Sequence, residues 1–255
     1  MAKPRRSDLT GYSREQRSQE RQNKNESARE FGDLPRSGFS YHGDGQEQVD
    51  FFNAHSNYNE LIEAMPQRDR DKFDDVWVPG TFMGGAQYQG FENMSPSLQS
   101  ATRTFDKWLD RSVVDRSFVV NRLATAELVL GAGNTTGTLA QFQAMKGQTV
   151  ISIGNLSTGV AKQGLTIGST LSTKSGGWRT KSVEYKITIP GGSKGAGMWI
   201  GDSRINSGFG RDQREFMMNR DIRLKVGNTT HDKVRDVYVV ELTYAGRLPH
   251  NYTHY

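Results

Sequence analysis

Apolar positions along the chain fall into three regimes. From residue 1 to about 48 they are sparse. Leu9, Tyr12, Phe31 and Leu34 sit alone among Arg, Lys, Glu, Gln, Ser, Asn and Gly, with no sustained period. Such a stretch buries too little surface to offset its ordering entropy, so a flexible polar tail is expected, with a short helix around 14–30. From Val49 the period becomes helical. Phe51, Ala54, Tyr58, Leu61, Ile62 and Met65 recur at helical spacing until Pro66 ends the run. Residues 67–94 are polar and glycine-rich and predict no clear element. Ser95 before Pro96 is a cap followed by a first-turn proline, and Leu98, Ala101, Phe105, Trp108 and Leu109 then make the apolar stripe of a second helix.

From Ser117 onward the pattern shortens to β-rich runs over 117–121, 148–153, 182–189, 197–201, 215–218, 221–226 and 237–244. One helix intervenes, roughly 138–146, carrying Leu139, Phe142 and Met145 and closed by Gly147. Helices first and strands later predict a segregated α+β fold rather than alternating β-α-β units. The expected organisation is a tail over 1–48 and a single domain over 49–255.

Composition supports a tail: 34% of residues are hydrophobic and mean hydropathy is -0.70. The 33 Lys and Arg exceed the 28 Asp and Glu, giving +5 and a pI near 9.4. That balance favours soft attraction to nucleic acid or acidic surfaces, and is also ordinary for a soluble protein. With no cysteine, disulfides, thiolate metal sites and a cysteine nucleophile are excluded. No run approaches the ~20 apolar residues of a membrane span. Met1 to Arg6 is basic without the apolar core of a signal peptide, so export by the general secretory route is not expected and a cytoplasmic location is. His250 and His254 are four apart, but in a Pro-, Asn- and Tyr-containing terminus, and no metal site is expected. Gly131-Ala132-Gly133 lacks the strand, helix and acidic partner of a dinucleotide fingerprint.

Candidate chemistry lies in the β-rich part. Arg122 ends Ser117-Phe118-Val119-Val120-Asn121. Gly154-Asn155-Leu156-Ser157-Thr158 follows an alternating run. Gln213-Arg214-Glu215-Phe216-Met217-Met218 places a carboxylate at the head of a strand, with Gln213 two residues earlier on the same face. Arginine offers forked donors to phosphates. A carboxylate stabilises an oxocarbenium-like sugar, and hydroxyls can orient that carboxylate.

In this order, with Lys146 to Val150 ahead of the Ser-Thr pair, Ile187-Thr188-Ile189-Pro190 and Lys194-Gly195-Ala196 between, and Ile222 to Val226 after, the chain resembles the ADP-ribosyltransferase family over roughly residues 95–245. The match is to its toxin-like type with an Arg, a Ser-Thr-Ser and a Glu-x-Glu motif. The resemblance implies a β-sandwich of two facing sheets with NAD in the cleft and no metal. It implies that Arg122, Ser157 and Thr158 bind NAD, that Ser157 also supports the catalytic Glu215, and that Gln213 addresses the acceptor. The third place of Ser-Thr-Ser is Gly159 here, a departure that puts one supporting hydroxyl in doubt. Ser172-Thr173 is a rival for the motif.

Gln213 stands where arginine-modifying members carry a second Glu, which points toward an amide side chain or a nucleobase as acceptor. In the loop 201–214, glycines flank Phe209, which could clamp a protein target or stack on a base. Lys162, Lys174 and Arg179 could reach a diphosphate. The expected activity is mono-ADP-ribosyl transfer from NAD to a macromolecule, a host protein before a nucleic acid, as in a phage-encoded modifier. The alternatives are guanine-directed transfer and a catalytically silent virion protein on the same fold.

Overall fold

The computed structural model describes residues 45–75, 90–160, 183–200, 215–233, 236–250 and 252. Helices come first: α1 (Gly45–His55), α2 (Tyr58–Ala64), α3 (Gln67–Asp75) and α4 (Pro96–Leu109). Two short helices, α5 (Glu127–Leu130) and α6 (Leu139–Ala144), fall among the strands. Nearly all of the expected tail lies outside the described residues, and α1 begins at Gly45, four residues before Val49.

The helical run ending at Pro66 is broken in two at Ser56 and Asn57. Ser56 Oγ donates to the Phe52 carbonyl at 2.6 Å, and Asn57 Oδ1 accepts from the Val113 amide at 2.8 Å. Short polar side chains bonded to backbone offer an alternative to the helical ladder. Helix α3 was not expected, because its sequence QRDRDKFDD carries a single apolar residue, Phe73, which is fully buried against Phe105. Helix α4 follows its sequence: Ser95 Oγ caps the Leu98 amide, Pro96 opens the first turn, and Ala101, Phe105, Trp108 and Leu109 are buried.

The strands are β1 (Val113–Val114), β2 (Phe118–Ala124), β3 (Thr149–Ser152), β4 (Leu156–Gly159), β5 (Val183–Ile189), β6 (Ser193–Lys194), β7 (Gly197–Trp199), β8 (Glu215–Met218), β9 (Ile222–Asp232) and β10 (Val237–Arg247). Eight form one ladder in the order β3-β9-β10-β5-β2-β4-β8-β7, while β1 pairs with β6. The β5–β10 pair is parallel, and the other described pairs are antiparallel.

The expected two sheets are the two halves of this ladder. β2 and β4 share one pair, Asn121 with Gly159. In a flat sheet β2 and β8, separated by β4, would lie roughly 9–10 Å apart. Instead the Phe118 ring on β2 meets the Phe216 ring on β8 at 5.1 Å, so the ladder folds sharply at the β2–β4 joint. Phe52 of α1 fills the angle, stacked on Trp199 at 5.3 Å and packed against Phe118 and Phe216. Burial of these rings is the main local stabilisation, roughly 2–3 kcal/mol each.

Candidate active site

Arg122, Ser157 and Glu215 come from the three adjacent strands β2, β4 and β8, at the joint between the halves. Antiparallel register aligns Asn121, Gly159 and Glu215 in one row across them. Ser157 is opposite Met217, which makes it the diagonal neighbour of Glu215 on the same face. Phe216 points the other way, into the aromatic cluster, and this alternation aims Glu215 away from that cluster.

Arg122 Nη1 donates to the Ser157 carbonyl at 2.7 Å. The bond carries the guanidinium across the β2–β4 joint toward the carboxylate strand. The Glu215 carboxyl is fully buried, and neither oxygen has a hydrogen-bond partner among the described residues. Burial pushes its pKa up from 4.5 to about 8, against the opposing pull of the Ser157 hydroxyl and the Arg122 charge. Ser157 Oγ lies close enough to favour the carboxylate, yet it too completes no hydrogen bond. Asn121 Oδ1, in the same row as Glu215, is a fourth buried polar atom without a partner among the described residues. Orphaned buried groups are rare, and a cluster of them beside a strongly shifted carboxyl marks a place built for a polar ligand.

Thr158 faces the other side of β4. Its hydroxyl, wholly buried on the Phe216 face, donates to the Phe216 carbonyl at 2.6 Å and holds β4 to β8. It therefore keeps Ser157 and Glu215 in register from the side opposite to them. Asn155 adds a second tie, its Nδ2 donating to the Met218 carbonyl at 3.1 Å. Gly159, the departure from the Ser-Thr-Ser pattern, sits between Asn121 and Glu215 in the register and places no side chain between theirs.

Gln213, Phe209, the rival Ser172-Thr173 and Lys162, Lys174 and Arg179 lie outside the described residues. Asn121 is the residue that sequence reasoning missed. Its signal was a lone amide in an otherwise apolar strand beside the key arginine. Among the described residues, no group of His, Asp and Glu is disposed to hold a metal, and no helix is long and apolar enough to cross a membrane.

His250 belongs to a separate buried network. Its Nε2 lies 2.9 Å from Asp110 and its Nδ1 3.1 Å from Asp221. Arg220 forks onto Asp106 at 2.9–3.2 Å and reaches Asp221 at 3.0 Å. Charges that sequence alone leaves as solvated singles are joined here by the fold, tying the C-terminus to α4 and to the β8–β9 turn.

No protein-family model and no curated protein sequence matches the chain. Solved structures do. C3stau2 from S. aureus, determined with NAD, superposes with a TM-score of 0.57 at 15% identity, over 80% of this chain and 97% of that one. Plx2a, an ADP-ribosyltransferase toxin from Paenibacillus larvae, gives 0.60 at 14%, over 80% and 97%. BECa, an ADP-ribosylating toxin of C. perfringens determined with NADH, gives 0.57 at 13%, over 80% of this chain and 49% of its own. At such identities the likeness is one of architecture: the chain has the fold of the ADP-ribosyltransferase toxins.

Proposed function

We propose that the chain transfers ADP-ribose from NAD to a macromolecular acceptor, with release of nicotinamide. The observation that carries this reading is the buried, unpartnered Glu215 carboxyl, met by Arg122 and Ser157 at the joint of a fold shared with NAD-using transferases. Arg122 supplies forked, permanently charged donors for the diphosphate or ribose. Glu215 faces the sugar carbon, accepts from the ribose 2′-hydroxyl and stabilises the positive charge that grows as the glycosidic bond breaks. Ser157 orients that carboxylate, and Asn121 offers its free oxygen to a ribose hydroxyl or to the incoming nucleophile.

The raised pKa fits this role. A carboxyl that rests protonated in an apolar cleft ionises when the cationic nicotinamide nitrogen arrives beside it, so its charge develops against the substrate.

Gln213 and Phe209 address the acceptor. The amide in place of a second carboxylate favours a protein amide side chain over arginine. A guanine base is the second reading, which the net charge of +5 favours. Water in place of the acceptor gives a slow NAD glycohydrolase. A toxin-like, phage-encoded or virion-carried protein acting inside a host cell is the setting that the basic chain suits.

The test is nicotinamide release from NAD by the purified chain across pH 6–9, with host lysate and nucleic acid as acceptors. In the free protein, kcat/KM is expected to climb with pH toward about 8 as Glu215 ionises. Glu215→Gln should lose roughly 10²–10³-fold or more in kcat, and Arg122→Ala should lose mainly NAD affinity. Wild type that binds NAD and never releases nicotinamide would instead establish a silent protein on this fold.

A further inference from the structure

Between α3 and α4 lies an open groove of about 500 Å³ lined by Arg68, Lys72, Arg103 and Lys107, with Ser100 and Thr104 also in its wall. Its one acid, Asp69, is 6% exposed and already engaged by the Trp108 indole at 2.8 Å and by Lys107 at 3.0 Å. The groove therefore carries a surplus of positive charge. The surplus is ordered in rows. Arg68 and Lys72 are four apart on α3, and Arg103 and Lys107 are four apart on α4, which spaces each row by about 6 Å along its helix axis; Arg111 follows just past the end of α4.

Lys72, Arg103 and Lys107 are held in place, while Arg68 is largely exposed. Lys72 donates to Ser100 Oγ at 2.6 Å. Arg103 lies 4.9 Å from the Phe91 ring centroid and 5.7 Å from that of Tyr252. Lys107 and Arg111 both lie over the Trp108 indole, at 4.6 and 4.8 Å. Stacked cations have lost much of their rotamer freedom in advance, so a ligand meets a preorganised surface. Tyr252 is also 39% exposed, one of the two large hydrophobic residues open to solvent among the described residues. An exposed aromatic beside a cationic track is what an unpaired base stacks on.

We propose that this groove binds single-stranded nucleic acid, the phosphodiester backbone running along the two cation rows and a base stacking on Tyr252. A single phosphate satisfies one row at most, whereas a linear polyanion engages both. The site is distinct from the NAD-splitting one. Asp106 of α4 meets Arg220 beyond the end of β8, and Glu215 opens that strand about 15 Å away along the chain. The proposal holds whether or not the chain turns NAD over.

Binding of a fluorescein-labelled 20-nucleotide oligo(dT) to the full chain, without NAD, is measured by anisotropy across 50–200 mM salt. Four phosphate contacts predict a log–log salt slope near −3, roughly a 50-fold weakening over that range. Arg68→Glu/Lys72→Glu strips the α3 row and should flatten the slope by about 1.4. Tyr252→Ala should weaken binding by roughly tenfold or more, with Tyr252→Phe, which keeps the ring, close to wild type. Nicotinamide release is followed in parallel: the groove variants keep it, and Glu215→Gln keeps oligonucleotide binding. Three outcomes would overturn the proposal. They are no binding at 50 mM salt, a slope unchanged in the double variant (which would assign binding to the N-terminal segment), or equal competition by polyglutamate, which would make the partner an acidic protein.

Discussion

A single carboxyl shows how the site is set. The folded Glu215 pKa of about 8 lies above its ordinary 4.5, so between those values the folded state keeps a proton that the unfolded chain has released. Stability contributed at this position is therefore present below pH 4.5 and lost as pH rises toward 8. Glu215→Gln removes that loss. Calorimetry should show the variant and wild type melting together at pH 4.5, and the variant melting several degrees higher at pH 8, a gain on the order of a few kcal/mol. Equal melting at both values would mean that the carboxylate is charged and partnered in the folded protein. The strands that carry the candidate residues Arg122, Ser157 and Glu215 were legible in the sequence because apolar runs beside each fix a strand. Asn121 was not legible, since an amide in a strand ordinarily marks an outward position. Asp106, Asp110, Asp221 and His250 were not legible either, because only the tertiary fold makes them neighbours.

At the scale of elements, the carboxylate strand depends on how closely β7 can approach it. Gly197 pairs with Met218 at φ 151, and a Cβ there would sit 2.3 Å from the Met217 carbonyl oxygen and 2.7 Å from the Met218 Cα. Both neighbours are backbone and cannot swing aside. Gly197→Ala should force β7 off β8, destabilise by roughly 1–3 kcal/mol or more, and lower nicotinamide release further than stability alone explains, because Glu215 heads the displaced strand. Urea unfolding together with activity at matched folded fraction checks this, and an unchanged midpoint would show that the strands have room to part. Strands and helices with a clean period (α4, α6, β5, β8 and β10) were readable from sequence. Where the reading fell short, side chains overrode the period. Ser56 and Asn57 cut one helical run into α1 and α2, and α3 carries too little apolar surface to announce itself. β9 continues past Val226 through the polar Asn228 to Asp232 because β10 supplies a partner for its backbone.

Across the whole molecule, pH acts through the strap that closes it. Leu248, His250 and Tyr252 bind back over α4 and the β8–β9 turn. The Leu248 amide donates to the Asp221 carbonyl at 2.7 Å, the Tyr252 hydroxyl donates to Asp106 at 2.8 Å, and Arg220 lies 5.0 Å from the Tyr252 ring centroid. His250 is the centre of the strap. It faces Asp106 and Asp110 from α4 and Asp221 from the turn, with Arg220 and Arg247 shared among those carboxylates. Both ring nitrogens meet carboxylates, which requires the doubly protonated imidazolium. Burial disfavours that charge, but hydrogen bonds to Asp110 and Asp221 outweigh it and lift the pKa from 6.5 to about 8. A raised histidine gives stability that is fully present below 6.5 and is lost through 8. His250→Gln should therefore cost about 2 kcal/mol at pH 6 and little at pH 9, read as a melting deficit that closes with rising pH. A deficit independent of pH would show a neutral imidazole packed for shape alone. Glu215 pushes in the same direction, while Asp69 and Asp110, both held below their ordinary range against burial by hydrogen bonds and nearby cations, withdraw stability only at strongly acid pH. Stability of the wild type should thus be greatest in a narrow window around pH 4.5, with Glu215 withdrawing it above and the two aspartates below. Catalysis through an ionised Glu215 improves only above that window, so the conditions that hold this chain together most firmly are those in which its candidate carboxylate rests uncharged.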